Sequence, residues 1–506
     1  MDPHNVFSVS DIRAAEAPLI QAEPAESNAL MRQAAHAVAA VAARLPLGVS
    51  PRVALLVGSG GNGGDALYAG AELARGGAAV DAVLLGRGGR VHERGLATFR
   101  GAGGTVRTQL AGGYDLVIDG ILGIGGSGPI SAEADRALHQ AGPDALVLAV
   151  DVPSGVVAQT GEVCEPHVVA DVTVTFGGLR PAHALAWECG EVVLADPRAE
   201  AAGLDMSERF AEFTPTMRTT RVNPGPVGLP VDPSPVASMP TLAPGPGDNK
   251  YSFGAVGVHA GSADYPGAGL LATRGALRAT SSMVRFVPAT PDAARLVIGA
   301  FPEVVPDPKG TGTVQAAVVG PGRGTDASAE RELGELLRSQ LPLVIDADAL
   351  TVLARNPELR AAVGKRASAS VLTPHAGEFA RFGAPDPASL ARELGCIVLL
   401  KGRITQITDG ARTWTVNAGC SWAATPGSGD VLSGVLGALL ARPRDRQDPF
   451  DSVLLGAVLH ARAAALAAQL PGSGPAPTTA SAIADALPGA IADLGLGVPA
   501  YNHLNR

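Results

Sequence analysis

Apolar and β-branched residues in this chain fall into short runs, each closed by turn residues. In the first two hundred positions the runs are VALLV (53–57), VDAVLL (80–85), DLVID (115–119), ALVLAV (145–150) and VTVTF (172–176), with Ala-rich helical stretches between them. Continuous runs of this length predict strands buried on both faces, as in a parallel sheet. Strands alternating with helices predict an α/β domain. Residues 222 to 247 then break the pattern with eight prolines, a density that predicts a linker without regular structure. A second series follows: AVGVHA (255–260), AAVVG (316–320), LVIDA (343–347), SVLT (370–373) and CIVLL (396–400). The expected organisation is an α/β domain over 1–215, a Pro/Gly-rich linker over 216–248 and a second α/β domain over 249–506. A chain of 506 residues exceeds what one core usually supports, which agrees with two domains.

Composition narrows the function classes. Apolar residues reach 46% while aromatics are only 4%, so the cores must be built from Ala, Val and Leu. The net charge of −9 argues against a general nucleic-acid binder. The four cysteines show no paired or zinc-type spacing and read as thiols of a reducing compartment. The N-terminus lacks a basic-then-apolar signal pattern, and no run of strongly apolar residues looks long enough to cross a membrane. A cytoplasmic protein is expected. Lys is rare beside Arg, at four positions, so Lys401 at a strand end attracts notice.

The first chemical motif is GSGGNGGD, Gly58 to Asp65, between a strand and a helix. Its glycines allow a tight turn and free N–H groups at a helix N-terminus. Gly58, Gly60 and Gly63 satisfy GxGxxG, which by itself also suits a dinucleotide dehydrogenase. The next strand ends in LLGRGG without the acid that would hold a ribose, and Asn62 and Asp65 lack a role in that reading. Asp119 in DGILGIGGSGP and Asp151 with Ser154 in DVPSG also stand at strand C-termini, where open parallel sheets bind ligands. Helix capping is the plain alternative for each acid.

These motifs, in this order, resemble the NAD(P)H-hydrate epimerase family: GSGGNGGD, DGILGIGGSGP, DVPSG and the helix LMRQAAHAVA at 30–39. The resemblance implies a Rossmann-like three-layer domain. It also implies a potassium ion on Asn62, Asp119 and Ser154. Substrate would be held by Gly61, Asn62, Gly63, Gly64 and Asp65, by Gly123, Ile124, Gly125, Gly126, Ser127, Gly128 and Pro129, and by Asp151. Epimerisation at C6 of the hydrated ring needs the hydroxyl to leave and return, or an equivalent ring opening. Asp151 or Asp65 is the candidate proton carrier. Gly61 stands where the family has Asn, and Ala66 where it has Gly.

In the second half the strongest motif is ATPGSGDVLSG, 424–434, opening an apolar helix. Gly427, Ser428 and Gly429 present N–H groups suited to a transferring phosphoryl group, and Asp430 in the first turn can take a proton from an attacking hydroxyl. The plain alternative is an Asp-capped helix. No Walker motif is present. With HAGSADYPGAGLLATRGALR (259–278), VVGPGRG (318–324), PLVIDADAL (342–350), LTPHAGEFAR (372–381) and KGRIT (401–405), the segment resembles the ADP-dependent NAD(P)H-hydrate dehydratases, of ribokinase-like fold. The resemblance implies nucleotide binding by Lys401, Gly402, Arg403, Ile404, Thr405 and Gly429. It implies hydrate binding by Ala268, Gly322, His375 and Asp430. Magnesium and ADP would serve this half. NKYSFG at 249–254 departs from the family's HKGDFG, and Pro426 interrupts a small-residue run.

The expected function is repair of hydrated NADH and NADPH (NADHX and NADPHX), by epimerisation and by ADP-driven dehydration to AMP and phosphate. The expected partners are these small molecules, with no nucleic acid and no membrane, and the resemblance implies a homo-oligomer. A vitamin or sugar kinase, and a nonenzymatic nucleotide-binding N-terminal domain, remain the alternatives.

Overall fold

The structure is a computed structural model. It describes all residues except 1, 3, 23–26, 87, 89, 200–203, 226, 229, 232, 233, 238, 444–447, 471–473 and 499–506. The chain divides into two compact units. The first comprises 1–219 and 224–230; the second comprises 220–223 and 231–506.

The first unit is built on a seven-stranded sheet. In spatial order its strands are Thr105–Arg107, Ala79–Leu84, Arg52–Val57, Leu116–Gly120, Leu146–Val150, Val172–Phe176 and Glu191–Ala195. Every neighbouring pair is parallel. Strand alternation sends Val53, Leu55 and Val57 to one face, under the helices Ala29–Ala42 and Gly61–Arg75. Ala54 and Leu56 go to the other, against Ala137 and Ala141 of helix Ala132–Ala141. This is the doubly wound, three-layer arrangement expected. The strand order reverses between Arg52–Val57 and Leu116–Gly120, which opens a crevice at their C-terminal ends.

In the second unit, strands run in the order Thr413–Asn417, Ile404–Thr408, Ile397–Leu400, Ser370–Leu372, Leu343–Ile345, Ala316–Val319, Ala255–His259, Met283–Phe286, Val305–Pro306. All pairs from Ile397–Leu400 to Val305–Pro306 are parallel, and an antiparallel hairpin completes the Ile397 edge. The helices Pro266–Ala279, Ser428–Leu440, Pro449–Ala468 and Ala480–Asp493 cover one face over Val256, Val258 and Val318. Ala327–Arg338 and Asp348–Arg355 cover the other over Ala317, Val319 and Ile345.

The scarcity of aromatics has a structural counterpart. A Cβ on Gly434 would lie 1.9 Å from the Ala272 carbonyl oxygen, and one on Gly275 would lie 2.2 Å from that of Val431. The helices Pro266–Ala279 and Ser428–Leu440 thus touch backbone to backbone. That close packing fixes the start of the second helix over the strand-order reversal.

Two expectations need correction. The proline-rich segment does carry regular structure: Met217–Arg221 is a strand and Ser234–Ala237 a short helix. A proline in a first helical turn sacrifices no hydrogen bond, so proline density alone did not exclude a turn of helix there. Helix Pro449–Ala468 is long and apolar enough to cross a membrane, with mean hydropathy 1.4, but 78% of that stretch is buried in the protein. It is a core helix.

Candidate active sites

In the first unit, Asn62, Asp119, Asp151 and Ser154 converge on one turn, residues 121–124. Asp119 ends a fully buried strand and accepts from the Ile121 amide at 3.1 Å. The Ser154 hydroxyl donates to Asp119 at 2.7 Å and accepts from the Leu122 amide at 2.9 Å. Asn62, in the first turn of helix Gly61–Arg75, donates to the carbonyls of Leu122 at 3.0 Å and Val150 at 2.6 Å. Asp151 accepts from the Ile124 amide at 3.0 Å. Gly58 permits this crowding, because a Cβ there would lie 2.0 Å from the Ile121 oxygen. Gly125, Ser127 and Pro129 of the following loop are exposed, and no polar contact ties Ser127 to the acids among the described residues.

The carboxyls differ sharply in their surroundings. Among the described residues, Asp119 has no cationic neighbour. Burial pushes it up to about 6, against the hydrogen bonds from Ser154 and Ile121. Asp151 pairs with the Arg180 guanidinium at 2.9 Å, and its Oδ1 also accepts from Thr175 at 3.1 Å. It sits at φ 71°, an unfavourable region for a residue with a Cβ. His183 supports it: burial, then Arg180, pulls the imidazole down to about 4, so Nε2 donates to the Asp151 carbonyl at 2.7 Å. Asp65 is buried and accepts no hydrogen bond among the described residues. Burial first, and the negative charge of Asp151 second, hold it well above the usual carboxylate range. Asp65 is therefore biased toward its protonated form, while Asp151 is tied to a cation.

In the second unit, Gly427 takes a left-handed φ of 83° and caps helix Ser428–Leu440. The first amides of that helix have no intrahelical acceptor. His460, on the core helix Pro449–Ala468, holds this start. Its Nε2 lies 2.9 Å from the Ser428 hydroxyl and 3.0 Å from its carbonyl. Asp430 follows in the first turn, flanked by Lys401 and Asp346. Lys401 Nζ donates to Asp346 at 2.8 Å and stands 4.0 Å from Glu378. The second Asp346 oxygen accepts from Ser433 at 2.6 Å. A Cβ on Gly429 would lie 3.2 Å from Lys401 Nζ, so the helix start sits directly on this ion pair.

Burial, then Asp346, pushes Asp430 up to about 7, while Lys401 pulls the other way and Asp348 adds to the rise. Burial alone would pull the Lys401 ammonium down. Asp346, then Glu378 and Asp430, outweigh it and hold Lys401 above its usual range. Asp430 can thus take up and release a proton near neutrality, as a general base requires. Ala347, between Asp346 and Asp348, has φ 49°, so the backbone carrying these acids is strained.

The remaining anticipated residues are placed as follows. Gly322 and Ala268 meet, since a Cβ on Gly322 would come within 2.7 Å of the Ala268 methyl. His375 lies beside Lys401, whose amide donates to the Pro374 carbonyl at 2.8 Å. Its Nδ1 caps helix Ala376–Phe379, accepting from Gly377 at 3.0 Å, which leaves Nε2 at a 58%-exposed ring edge. Gly402 accepts from the Thr405 hydroxyl at 3.2 Å. At the departure NKYSFG, Asn249 accepts from the Tyr251 amide at 2.9 Å and closes a local turn. Sequence reasoning missed Arg180, Thr175 and His183 in the first unit, and Ser433 and His460 in the second. Asp346 lay in the quoted PLVIDADAL without a role.

Comparisons with known proteins agree with this division. The family described as "YjeF-related protein N-terminus" matches residues 27–182, and "NAD(P)H-hydrate dehydratase" matches residues 256–486. A bifunctional NAD(P)H-hydrate repair enzyme from Corynebacterium glutamicum is 42% identical over 97% of this chain and 99% of its own. The one from Mycobacterium leprae is 43% identical over 96% of this chain and 99% of its own. Among solved structures, the ADP/ATP-dependent NAD(P)H-hydrate dehydratase from Bacillus subtilis, co-crystallised with ATP/Mg2+, is 26% identical. It covers 52% of this chain and 97% of its own, with a TM-score of 0.46.

Proposed function

The chain belongs to the bifunctional NAD(P)H-hydrate repair enzymes, and from that premise we propose how its residues divide the work. It epimerises hydrated NAD(P)H in the first unit and dehydrates it with a nucleotide in the second. The kinase and the nonenzymatic N-terminal domain are set aside by that membership.

For the epimerase, Asp65 starts protonated and donates to the C6 hydroxyl, which leaves as water. The ring nitrogen lone pair stabilises the resulting cation, and the Asp151 carboxylate faces it. Water then returns to either side, giving its proton back to Asp65. Gly61 to Asp65, the 123–129 loop and Asp151 hold the substrate. The fully buried Asp119, lacking a cationic partner, and the oxygens of Ser154 and Asn62 suit a potassium ion. When bound, that ion would supply positive charge that orders the turn at 121–124.

For the dehydratase, Asp430 removes the proton of the C6 hydroxyl as its oxygen attacks the β-phosphorus of ADP. AMP leaves, carrying the bridging oxygen. The C6 phosphate then departs, driven by the ring nitrogen, and a proton lost from C5 restores the double bond. Lys401 to Thr405 and Gly429 hold the nucleotide. Ala268, Gly322 and His375 hold the hydrate. Lys401 uses one of its three donors on Asp346, which leaves two for phosphate oxygens. Among the described residues no three His, Cys or acidic side chains converge on a metal position. Mg2+ is therefore proposed to arrive on the phosphates, and no step depends on a cage in the protein.

The observation that carries this reading is Asp430 at the mouth of a glycine-opened helix, raised toward neutral titration by burial and Asp346 against the pull of Lys401. Mixing the protein with ADP and the S hydrate tests it: reduced-nicotinamide absorbance returns with stoichiometric AMP. Release of ADP from ATP without recovery of absorbance would favour a kinase. Four unpaired cysteines support the cytoplasmic reading. Exposed Tyr251 and Tyr265 support a homo-oligomer, which light scattering checks.

A further inference from the structure

We propose that Arg180 is the positioning residue of the epimerase site: through Asp151 it fixes both the anion beneath the ring and the loop that holds the substrate. The inference rests on reading the first unit as the hydrate epimerase.

Arg180 is 1% exposed and is the largest fully buried side chain of the described residues. It lies outside every motif that carried the family resemblance, in GGLRPAH just after strand Val172–Phe176. A guanidinium is costly to bury without full compensation. Here its Nη2 lies 2.9 Å from Asp151 and 3.5 Å from Glu16. Its Nη1 donates to the Gly178 carbonyl at 2.9 Å and to Thr175 at 2.5 Å. Thr175 passes its own proton to the same Asp151 oxygen. The Nε–H has no partner among the described residues. Two of its contacts, to Asp151 and to Thr175, bear on one oxygen of Asp151, while the Gly178 and Phe176 carbonyls and Glu16 compensate the rest of the guanidinium.

The other Asp151 oxygen is left to the Ile124 amide. The chain of contacts therefore runs from a buried cation, through one carboxylate, to the loop at 123–129. It has a chemical consequence. Asp65 and Asp151 are neighbours, and two buried carboxyls without a cation would share one proton indiscriminately. Arg180 breaks that symmetry by pairing with Asp151. The ring cation then finds a fixed negative charge, and Asp65 keeps the proton that the hydroxyl needs.

A double-mutant cycle tests this in the full chain, with epimerisation of the pure R hydrate followed through the dehydratase supplied in excess. Arg180→Met and Asp151→Asn should each lower epimerase kcat by roughly 100-fold. If Arg180 acts through Asp151, the double variant should be no slower than the poorer single variant, within about 3-fold. Arg180→Lys keeps the charge and should recover at least about a tenth of wild-type kcat. Glu16→Gln, which touches the same guanidinium from further away, should stay within about 3-fold of wild type. If Arg180→Met unfolds the first unit by circular dichroism, the cycle is run with Arg180→Lys in its place. Multiplying losses, or Arg180→Met at the wild-type rate, would overturn the proposal. A wild-type protein that fails to epimerise would instead overturn the reading of the unit.

Discussion

Asp430→Asn should make the second unit more stable above neutrality while abolishing its activity. The ordinary Asp value is 3.8, and Asp430 is pushed to about 7 in the folded protein. Between those values the folded state holds a proton that the unfolded state has lost. Stability from this group is therefore present at low pH and falls as pH rises toward 7. A difference of about 3 pH units at about 1.4 kcal/mol each gives about 4 kcal/mol as an upper bound. Partial exposure of Asp430 screens some of this, which leaves about 2 kcal/mol. Asn cannot ionise and escapes the loss. In a domain of this size, that corresponds to a rise in Tm of roughly 5 °C near pH 8, shrinking by at least half near pH 5. Differential scanning calorimetry of both proteins at the two pH values, with the transition of the second unit assigned by ADP stabilisation, provides the measurement. An equal gain at both pH values, or none near pH 8, would refute the electrostatic argument. Such a gain at the expense of catalysis is the usual relation between stability and an active-site charge.

Other consequences can be checked separately. Asp346→Asn removes the second-largest influence raising Asp430. The acid limb of the dehydratase pH–rate profile should move down by about one pH unit, and an unmoved limb contradicts this. Asp119→Asn removes the one buried charge proposed to face potassium. Epimerase rates in potassium and in lithium buffers should then become equal, whereas the wild type prefers potassium. Gly61→Asn should be tolerated without loss of Tm, since a Cβ there meets nothing within 4 Å. Gly434→Ala should lower the stability of the second unit by at least about 3 kcal/mol in urea titration, because its Cβ collides with the Ala272 carbonyl.

Much of this architecture is legible in the sequence because its signals are local. The runs at 53–57 and 172–176 fall on observed strands to within a residue. The glycine-rich loops after 57 and before 428 each open a helix as expected. Short strands escaped notice: Thr105–Arg107 and Val305–Pro306 are too brief to show a period. The edge hairpin ITQIT and TWTVN alternates polar and apolar residues and turns at 409–412. Long-range pairings were hidden altogether. Nothing local says that Arg180 meets Asp151, or that Lys401 lies on Asp346 across 55 positions. Those contacts exist because the parallel strands deliver their C-terminal ends to one edge of the sheet. His375 shows the reverse case. Its Nδ1 is spent on a helix cap, and its half-exposed Nε2 edge lies 3.6 Å from a Glu378 oxygen.

The most direct test of the account is single-turnover dehydration of the S hydrate by Asp430→Asn with saturating ADP. The predicted result is a rate at least about 100-fold below wild type, with ADP affinity retained, since the missing group is the base and not a nucleotide anchor. A rate within about 3-fold of wild type would show that the hydroxyl proton leaves by another route, and would contradict the role given to Asp430.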